Sequence, residues 1–239
     1  MNIALIIAGG KGERMNQELP KQFLHVDNKP IIIYTLEVFE KHPSIDAVLV
    51  VCLDGWHEIL KAYAKQFDIT KLRWVISGGE TSQESINNGV NSLEGICNSD
   101  DLIIVHDGIR PMIDDDVLSD IIAKCGIHGN AVASLSYNEQ IFIKHDDVST
   151  KEYIPRDTIK RIQTPQAYKY GKLKWAYKEA YEKNIGLGSS AYANTLMVDL
   201  GETLYFAASS ERNIKITTLE DLYLFKALLG VKNDMGLKL

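Results

Sequence analysis

The chain of 239 residues has only three cysteines, Cys52, Cys97 and Cys125, with neither a CxxC pair nor a metal-ligand spacing. That excludes a disulfide framework and a cysteine metal site, and the three are expected to be buried thiols of a cytoplasmic protein. No run approaches the ~18 apolar residues of a membrane span. The start, Met1-Asn2-Ile3-Ala4-Leu5-Ile6-Ile7-Ala8, lacks a basic leader, so no targeting segment and no membrane partner are expected. There is no excess of positive charge. Twenty-six Lys and Arg against 32 Asp and Glu leave a net charge of −6, which argues against nucleic acid as the main partner. Internal repeats, low-complexity tracts and linkers are also lacking. With 45% apolar and 24% charged residues the composition is that of a folded globular chain. At ~150 residues per domain the length suits one large α/β domain, 1–239, better than two small ones.

What is there is an alternation of short apolar runs with longer periodic ones. Residues 3–7, 47–52, 74–76, 102–105 and 131–135 are continuous apolar segments of strand length, as in a parallel sheet buried on both faces. Residues 31–39, 57–67, 85–93 and 117–124 have the length and period of covering helices. This alternation predicts an α/β fold with a mostly parallel sheet. Thr81-x-x-Glu84 and Thr217-x-x-Glu220 read as capping boxes. Asp114, Asp115 and Asp116 read as an acidic first helical turn rather than a metal cluster. Residues 137–156 interrupt the alternation. Ile141-Phe142-Ile143, a polar stretch, and Glu152-Tyr153-Ile154 predict a projecting hairpin. An isolated hairpin is marginal in water, so this arm is expected to rest on a second subunit in a homodimer.

The first strand runs into Ala8-Gly9-Gly10-Lys11-Gly12-Glu13-Arg14-Met15, followed by Pro20-Lys21-Gln22. Glycines allow backbone N–H groups to approach an anion closely, and Arg14 and Lys21 add two cations. A triphosphate needs that chemistry. A dinucleotide loop would need a third glycine where Met15 stands, and a Walker loop would need Gly-Lys-Ser/Thr, which is missing. Asp107 follows an apolar strand, where ligands of open α/β sheets collect and where a carboxylate can meet Mg²⁺; capping a turn is the alternative role. His106 reads as a packed, hydrogen-bonded side chain.

Taken together, the motifs resemble the family of 2-C-methyl-D-erythritol 4-phosphate and ribitol 5-phosphate cytidylyltransferases. The resemblance rests on A-G-G-x-G-x-R-M and P-K-Q at 8–22 and on Gly78-Gly79 followed by Ser85 and Asn88-Gly89. It extends to His106-Asp107-x-x-Arg110-Pro111, Gln163-Thr164-Pro165-Gln166 and Asn213-Ile214-Lys215-Ile216-Thr217. It implies a Rossmann-like three-layer nucleotidyltransferase fold with an arm that crosses to a partner. It also implies transfer of CMP from CTP to a polyol phosphate, with Mg²⁺. By the resemblance, Arg14, Lys21 and Lys215 stabilise the phosphates. Ala8, Gly9, Gly10, Gly12, Gly78, Gly79, Ser85 and Asp107 hold the nucleotide, and Asp107 also meets the metal. Arg156, Thr164 (read as part of a turn) and Arg110 take the acceptor phosphate. Lys215 is expected on a late strand.

The chain departs from the family pattern at Ser82, where an Arg is common, at Asn138-Glu139, at Ala191-Tyr192-Ala193-Asn194 in place of T-D-D or T-D-A, and at Arg212. All but Ser82 fall on the acceptor side. Glu139 facing a phosphate would repel it unless Arg156 or Arg212 compensates, so a non-standard acceptor geometry is expected. The runs Asp27-Asn28-Lys29-Pro30-Ile31 and Gly55-Trp56 favour the ribitol phosphate branch. Methylerythritol phosphate as acceptor, and a catalytically weak CTP-binding dimer, are the alternatives.

Overall fold

Each of the five apolar runs is a strand, and all lie in one sheet of seven. The structure, a computed structural model, describes residues 1–10, 19–188 and 192–235. The elements are β1 (Asn2–Ala8), β2 (His25–Val26), β3 (Lys29–Pro30), α1 (Ile31–Lys41), β4 (Ala47–Cys52), α2 (His57–Gln66), β5 (Leu72–Ser77) and α3 (Ser82–Ser92). They continue with β6 (Leu102–Asp107), α4 (Asp115–His128), β7 (Asn130–Ser136), β8 (Ile141–Lys144), β9 (Thr150–Ile154) and β10 (Lys160–Lys169). Last come α5 (Tyr170–Lys183), α6 (Ala193–Asp199), β11 (Phe206–Ala207) and α7 (Leu219–Met235). The sheet order is β11-β7-β10-β6-β1-β4-β5. β1 pairs in parallel with β4 and β6, β4 with β5, and β7 with β11, whereas β10 runs antiparallel to both its neighbours.

Alternation along β1 builds the three layers. Ala4, Ile6 and Ala8 face one core shared with α1, α2 and α4. Ile3 and Leu5 face the other, shared with α3, α5 and α6. Because both faces are covered, the strand has no polar face to show, and that is why it reads as an uninterrupted apolar run. Helix α3 packs so close that a Cβ on Gly89 would lie 2.5 Å from Leu5 Cδ1. A third cluster, Val26, Ile31, Ile109, Ile216 and Phe225, seats α7 beside the β2–β3 hairpin. That hairpin turns through Asp27 and Asn28, both in the left-handed region at φ 48° and 63°, which suits a two-residue turn of the mirror-image type. Cys52 and Cys125 are buried as expected, whereas Cys97 is only half-buried; burial pushes the thiols of Cys52 and Cys97 up to about 11 and that of Cys125 to about 12. They behave as small apolar side chains.

Several expectations need correction. Gln163-Thr164-Pro165-Gln166 is no turn, because it lies within the central strand β10. β10 pairs with β7 through 160–162 and again through 166–168, and Pro165, behind a cis peptide bond, sits in the register shift between them. Proline is tolerated there because no ladder N–H is required. Its polar run and proline hid this strand from a search for apolar segments. Lys215 is not on a strand; its neighbour Ile216 donates its N–H to Ile109 O, which pins this segment against the loop after β6. The capping pattern before α7 is displaced by one residue. Asp221 accepts from Thr217 and Thr218 N–H, and Asp221 N–H bonds Thr218 Oγ1. Thr81 does cap α3, accepting from Glu84 N at 3.1 Å, but the box is not reciprocal, since the Glu84 carboxylate accepts from Glu80 N–H at 2.7 Å and not from Thr81 N–H. The arm forms as expected, with Ile141 opposite Ile154 and Phe142 opposite Tyr153.

Candidate active site

The carboxyl ends of four strands line up side by side. Ala8 pairs with Cys52, Cys52 with Ser77, and Ile7 with Asp107. β1 is followed by β4 on one flank and later by β6 on the other, so this edge holds the topological switch point where open α/β sheets bind ligands. The loops at these ends are Gly9-Gly10, Gly78-Gly79 and Asp107-Gly108.

The first two loops touch through backbone. A Cβ on Gly78 would lie 3.4 Å from Gly9 Cα and 3.2 Å from Ser85 Oγ, so glycine is what allows the approach. Gly79 has less room still, since a Cβ there would fall 2.3 Å from Glu84 Cβ. Ser85 is buried on α3, and its Oγ accepts from Gly79 N–H at 3.0 Å. That leaves its O–H able to donate. Gln22, whose role the motif alone did not disclose, is 1% exposed and donates Nε2 to Ala8 O at 2.8 Å and Gly10 O at 3.1 Å. One side chain thereby fastens the start of the glycine loop to the turn Lys21–Phe23, placing Lys21 alongside. Phe23 stacks on Trp56 at 4.5 Å, tying that turn to the loop after β4. Gly12 and Arg14 lie outside the described residues.

Asp107 is the hub of the other side. Arg110 Nε reaches its Oδ2 at 2.9 Å, and Lys215 Nζ lies 3.2 Å from Oδ1. Thr164 Oγ1 accepts from Asp107 N–H at 3.2 Å. Burial pushes the Asp107 carboxyl up, but the opposing pull of Lys215 and Arg110 prevails and holds it below its ordinary value. Asn213 is fully buried and fastens the cluster from behind. It donates Nδ2 to Thr164 O at 2.7 Å, while its own carbonyl accepts from Arg110 Nη1 at 2.7 Å. Three segments distant in sequence, 107–110, 164 and 213–215, thus converge on one carboxylate. His106 is buried against Phe39, with Nε2 3.1 Å from Arg110 O, and burial lowers its pKa to about 4. It is neutral and structural, as the sequence suggests.

Other expected residues lie apart from this cluster. Arg156 is exposed at the base of the arm, where Nη1 donates to Asn138 O at 3.3 Å. Arg212 is bound to Asp114 Oδ1 at 2.8 Å, at the start of α4, and so is not placed to compensate Glu139. Asp114 therefore serves as an ion-pair partner at the N-cap, with only Asp115 and Asp116 in the first turn. Among the described residues no group of three His, Cys, Asp or Glu side chains converges on a metal position. Asp107 fits Mg²⁺ only on the terms Mg²⁺ commonly accepts, one protein carboxylate with the remaining oxygens from phosphates and water.

A doubly covered, mostly parallel sheet with glycine loops, a carboxylate and cations at its switch point is the arrangement of a nucleotidyltransferase. The family model of IspD, 2-C-methyl-D-erythritol 4-phosphate cytidylyltransferase, matches residues 2–231, and the chain belongs to this family. A ribitol-5-phosphate cytidylyltransferase of Lacticaseibacillus paracasei is 57% identical over 97% of this chain and 99% of its own length. A 2-C-methyl-D-erythritol 4-phosphate cytidylyltransferase of Clostridium tetani is 35% identical over 98% of this chain and 94% of its own. The crystal structure of 4-diphosphocytidyl-2C-methyl-D-erythritol synthase from Anaerococcus prevotii superposes with a TM-score of 0.81. It covers 96% of each chain at 22% identity, a likeness of fold. The chain is a CTP-dependent polyol-phosphate cytidylyltransferase.

Proposed function

We propose that the acceptor is ribitol 5-phosphate, giving CDP-ribitol and pyrophosphate. The observation that carries this is the 57% identity, over nearly the whole of both chains, to a relative named for that acceptor. Relatives named for methylerythritol phosphate stand at 31–35%. An oxygen of the acceptor phosphate attacks the α-phosphorus of CTP in line. The P–O bond to the β-phosphate breaks, and pyrophosphate leaves with the electron pair. No covalent enzyme intermediate is needed, so catalysis is positioning and charge stabilisation.

Backbone N–H groups of Gly9, Gly10 and Gly12 cradle the phosphates, with Ala8 at the strand end, and Arg14, Lys21 and Lys215 offset the charge that builds on them. Gly78, Gly79 and the Ser85 hydroxyl read the base by hydrogen bonds. Asp107 orients Lys215 and Arg110, and is the carboxylate that would hold Mg²⁺, whose contribution is to neutralise phosphate charge. Thr164, Arg110 and Arg156 take the acceptor phosphate; Arg110 keeps three N–H donors beyond those committed to Asp107 and Asn213.

The reading includes a homodimer built through the arm. Phe142, Ile143, Val148 and Tyr153 are all exposed there, an apolar surface that a second copy would cover. It also includes one domain and a cytoplasmic location, in keeping with three free thiols.

Pyrophosphate release from CTP and Mg²⁺, measured with ribitol 5-phosphate and with 2-C-methyl-D-erythritol 4-phosphate, tests the reading. Preference for ribitol 5-phosphate is expected. Ordinary methylerythritol phosphate activity, with Glu139→Thr changing nothing, would move the chain to the other branch. CTP binding without turnover on either would make it a weak paralogue.

A further inference from the structure

Among the described residues, Lys215 has an acidic neighbour and an aromatic one in the site. Its ammonium stands 3.2 Å from Asp107 on one side, and on another side the Tyr192 ring centroid is 6.0 Å away. That distance is at the outer limit of a cation–π contact, so the ring is not there chiefly to hold Lys215. Nor does it hold α6. Thr195 Oγ1 accepts from Tyr192 N–H at 2.8 Å and donates to Tyr192 O at 2.9 Å, bonds that any residue at 192 could supply. The chain that follows is nonetheless anchored, because Ala193, Leu196 and Met197 are fully buried. The result is a large ring at the start of an anchored helix, 46% exposed and packed into no core cluster.

A ring so placed offers a flat apolar face with a phenolic O–H at its rim, beside the cations gathered at Asp107. A polyol phosphate has matching parts: an anion for that cluster, C–H groups for the ring face and hydroxyls for the O–H. A carboxylate at 192 would instead set a second negative charge against Lys215 and the incoming phosphate. We infer that Tyr192 is a specificity-determining residue, the wall against which the carbon chain of the polyol phosphate acceptor lies while its phosphate is held by Thr164 and Arg110, which share the Asp107 cluster with Lys215. This rests on the reading above that Thr164 and Arg110 take the acceptor phosphate.

The test is steady-state kinetics on the full-length protein, with CTP and ribitol 5-phosphate varied separately, for Tyr192→Ala, Tyr192→Phe and Tyr192→Asp. Tyr192→Ala should raise the acceptor KM by about ten-fold or more while the CTP KM stays within about two-fold and the thermal midpoint is unchanged. Tyr192→Phe, which keeps the ring, should recover most of the loss, and Tyr192→Asp should do worse than Ala. An unchanged acceptor KM in Tyr192→Ala, or a rise in both KM values together, would overturn the inference. If the alanine variant does not fold, Tyr192→Asp decides by the same criterion. Wild-type protein inactive on both polyol phosphates would sink the functional reading, and the Tyr192 assignment with it. An active wild type with an indifferent Tyr192→Ala sinks the assignment alone.

Discussion

The Asp107 cluster and the arm face opposite problems. At Asp107, side chains and backbone from β6, β10 and the 213–215 segment bond one another within the chain, with some Arg110 donors left for a ligand. In the arm the bonds are short-range. Asp146 accepts from Val148 and Ser149, Thr150 donates to Ile143 O, and the apolar side chains face outward, Val148 at 95% exposure. A buried polar cluster must close within the chain because unmet hydrogen bonds cost about 1–3 kcal/mol each. A two-stranded hairpin has no such requirement and too little core to stand alone. The cluster is therefore finished in one chain, and the arm is shaped for something outside it.

The contrast can be tested from its strongest consequence to its weakest. Lys21→Ala, Lys215→Ala and Arg14→Ala should each lower turnover by about 10²-fold or more, since each removes charge stabilisation in the transition state. Near-normal rates in a pyrophosphate-release assay would remove that residue from the mechanism. Asn213→Ala strips Thr164 O of its donor and should cost about 1–3 kcal/mol, read as a lowered denaturant midpoint. Gly89→Ala probes the fold beneath the site. Its Cβ would meet Leu5 Cδ1 at 2.5 Å, so a loss of about 1–3 kcal/mol is expected without a change in nucleotide preference.

A smaller effect concerns pH. His42 is buried, and burial lowers its pKa below the ordinary value despite the opposing pull of Asp115. The unfolded chain therefore takes up a proton there first as pH falls through about 6.5, and stability declines with it until the folded pKa is passed. His42→Gln should flatten that part of a stability–pH curve measured by urea titration. Smallest of all in the isolated chain, Phe142→Ser with Tyr153→Ser should change stability by no more than about 0.5 kcal/mol, because both side chains are exposed. The same pair should convert a dimer to monomer in sedimentation velocity if the arm is the interface. A large loss of stability without a change in mass would show that the arm belongs with the core.

Much of this was legible beforehand for an identifiable reason. The central parallel strands carry their burial in a continuous apolar code, α3 carries its cap in Thr81 and Glu84, and the glycine pairs announce close backbone approach. β10 gave no such signal. Its middle, Gln163 to Gln166, spends polar side chains on other segments, as when Ser209 Oγ donates to Gln163 Oε1 at 2.6 Å. Gln22 was visible as a letter in a motif, but its task of fastening Ala8 O and Gly10 O shows only in three dimensions. Arg212 looked available for the acceptor side and is held by Asp114 instead.

The sequence by itself determined the α/β alternation, the glycine and cation loop after the first strand, the arm and the family, because each is written in residues close together along the chain. Only the tertiary structure decided that β10 runs antiparallel through the middle of the sheet, that Lys215 lies off the strands, and that Asp107, Arg110, Thr164, Asn213 and Lys215 form one cluster with Tyr192 at its side. Those facts depend on contacts between segments fifty to a hundred residues apart. Hydrogen bonding and charge pairing select such contacts when the core closes, and no local pattern records them.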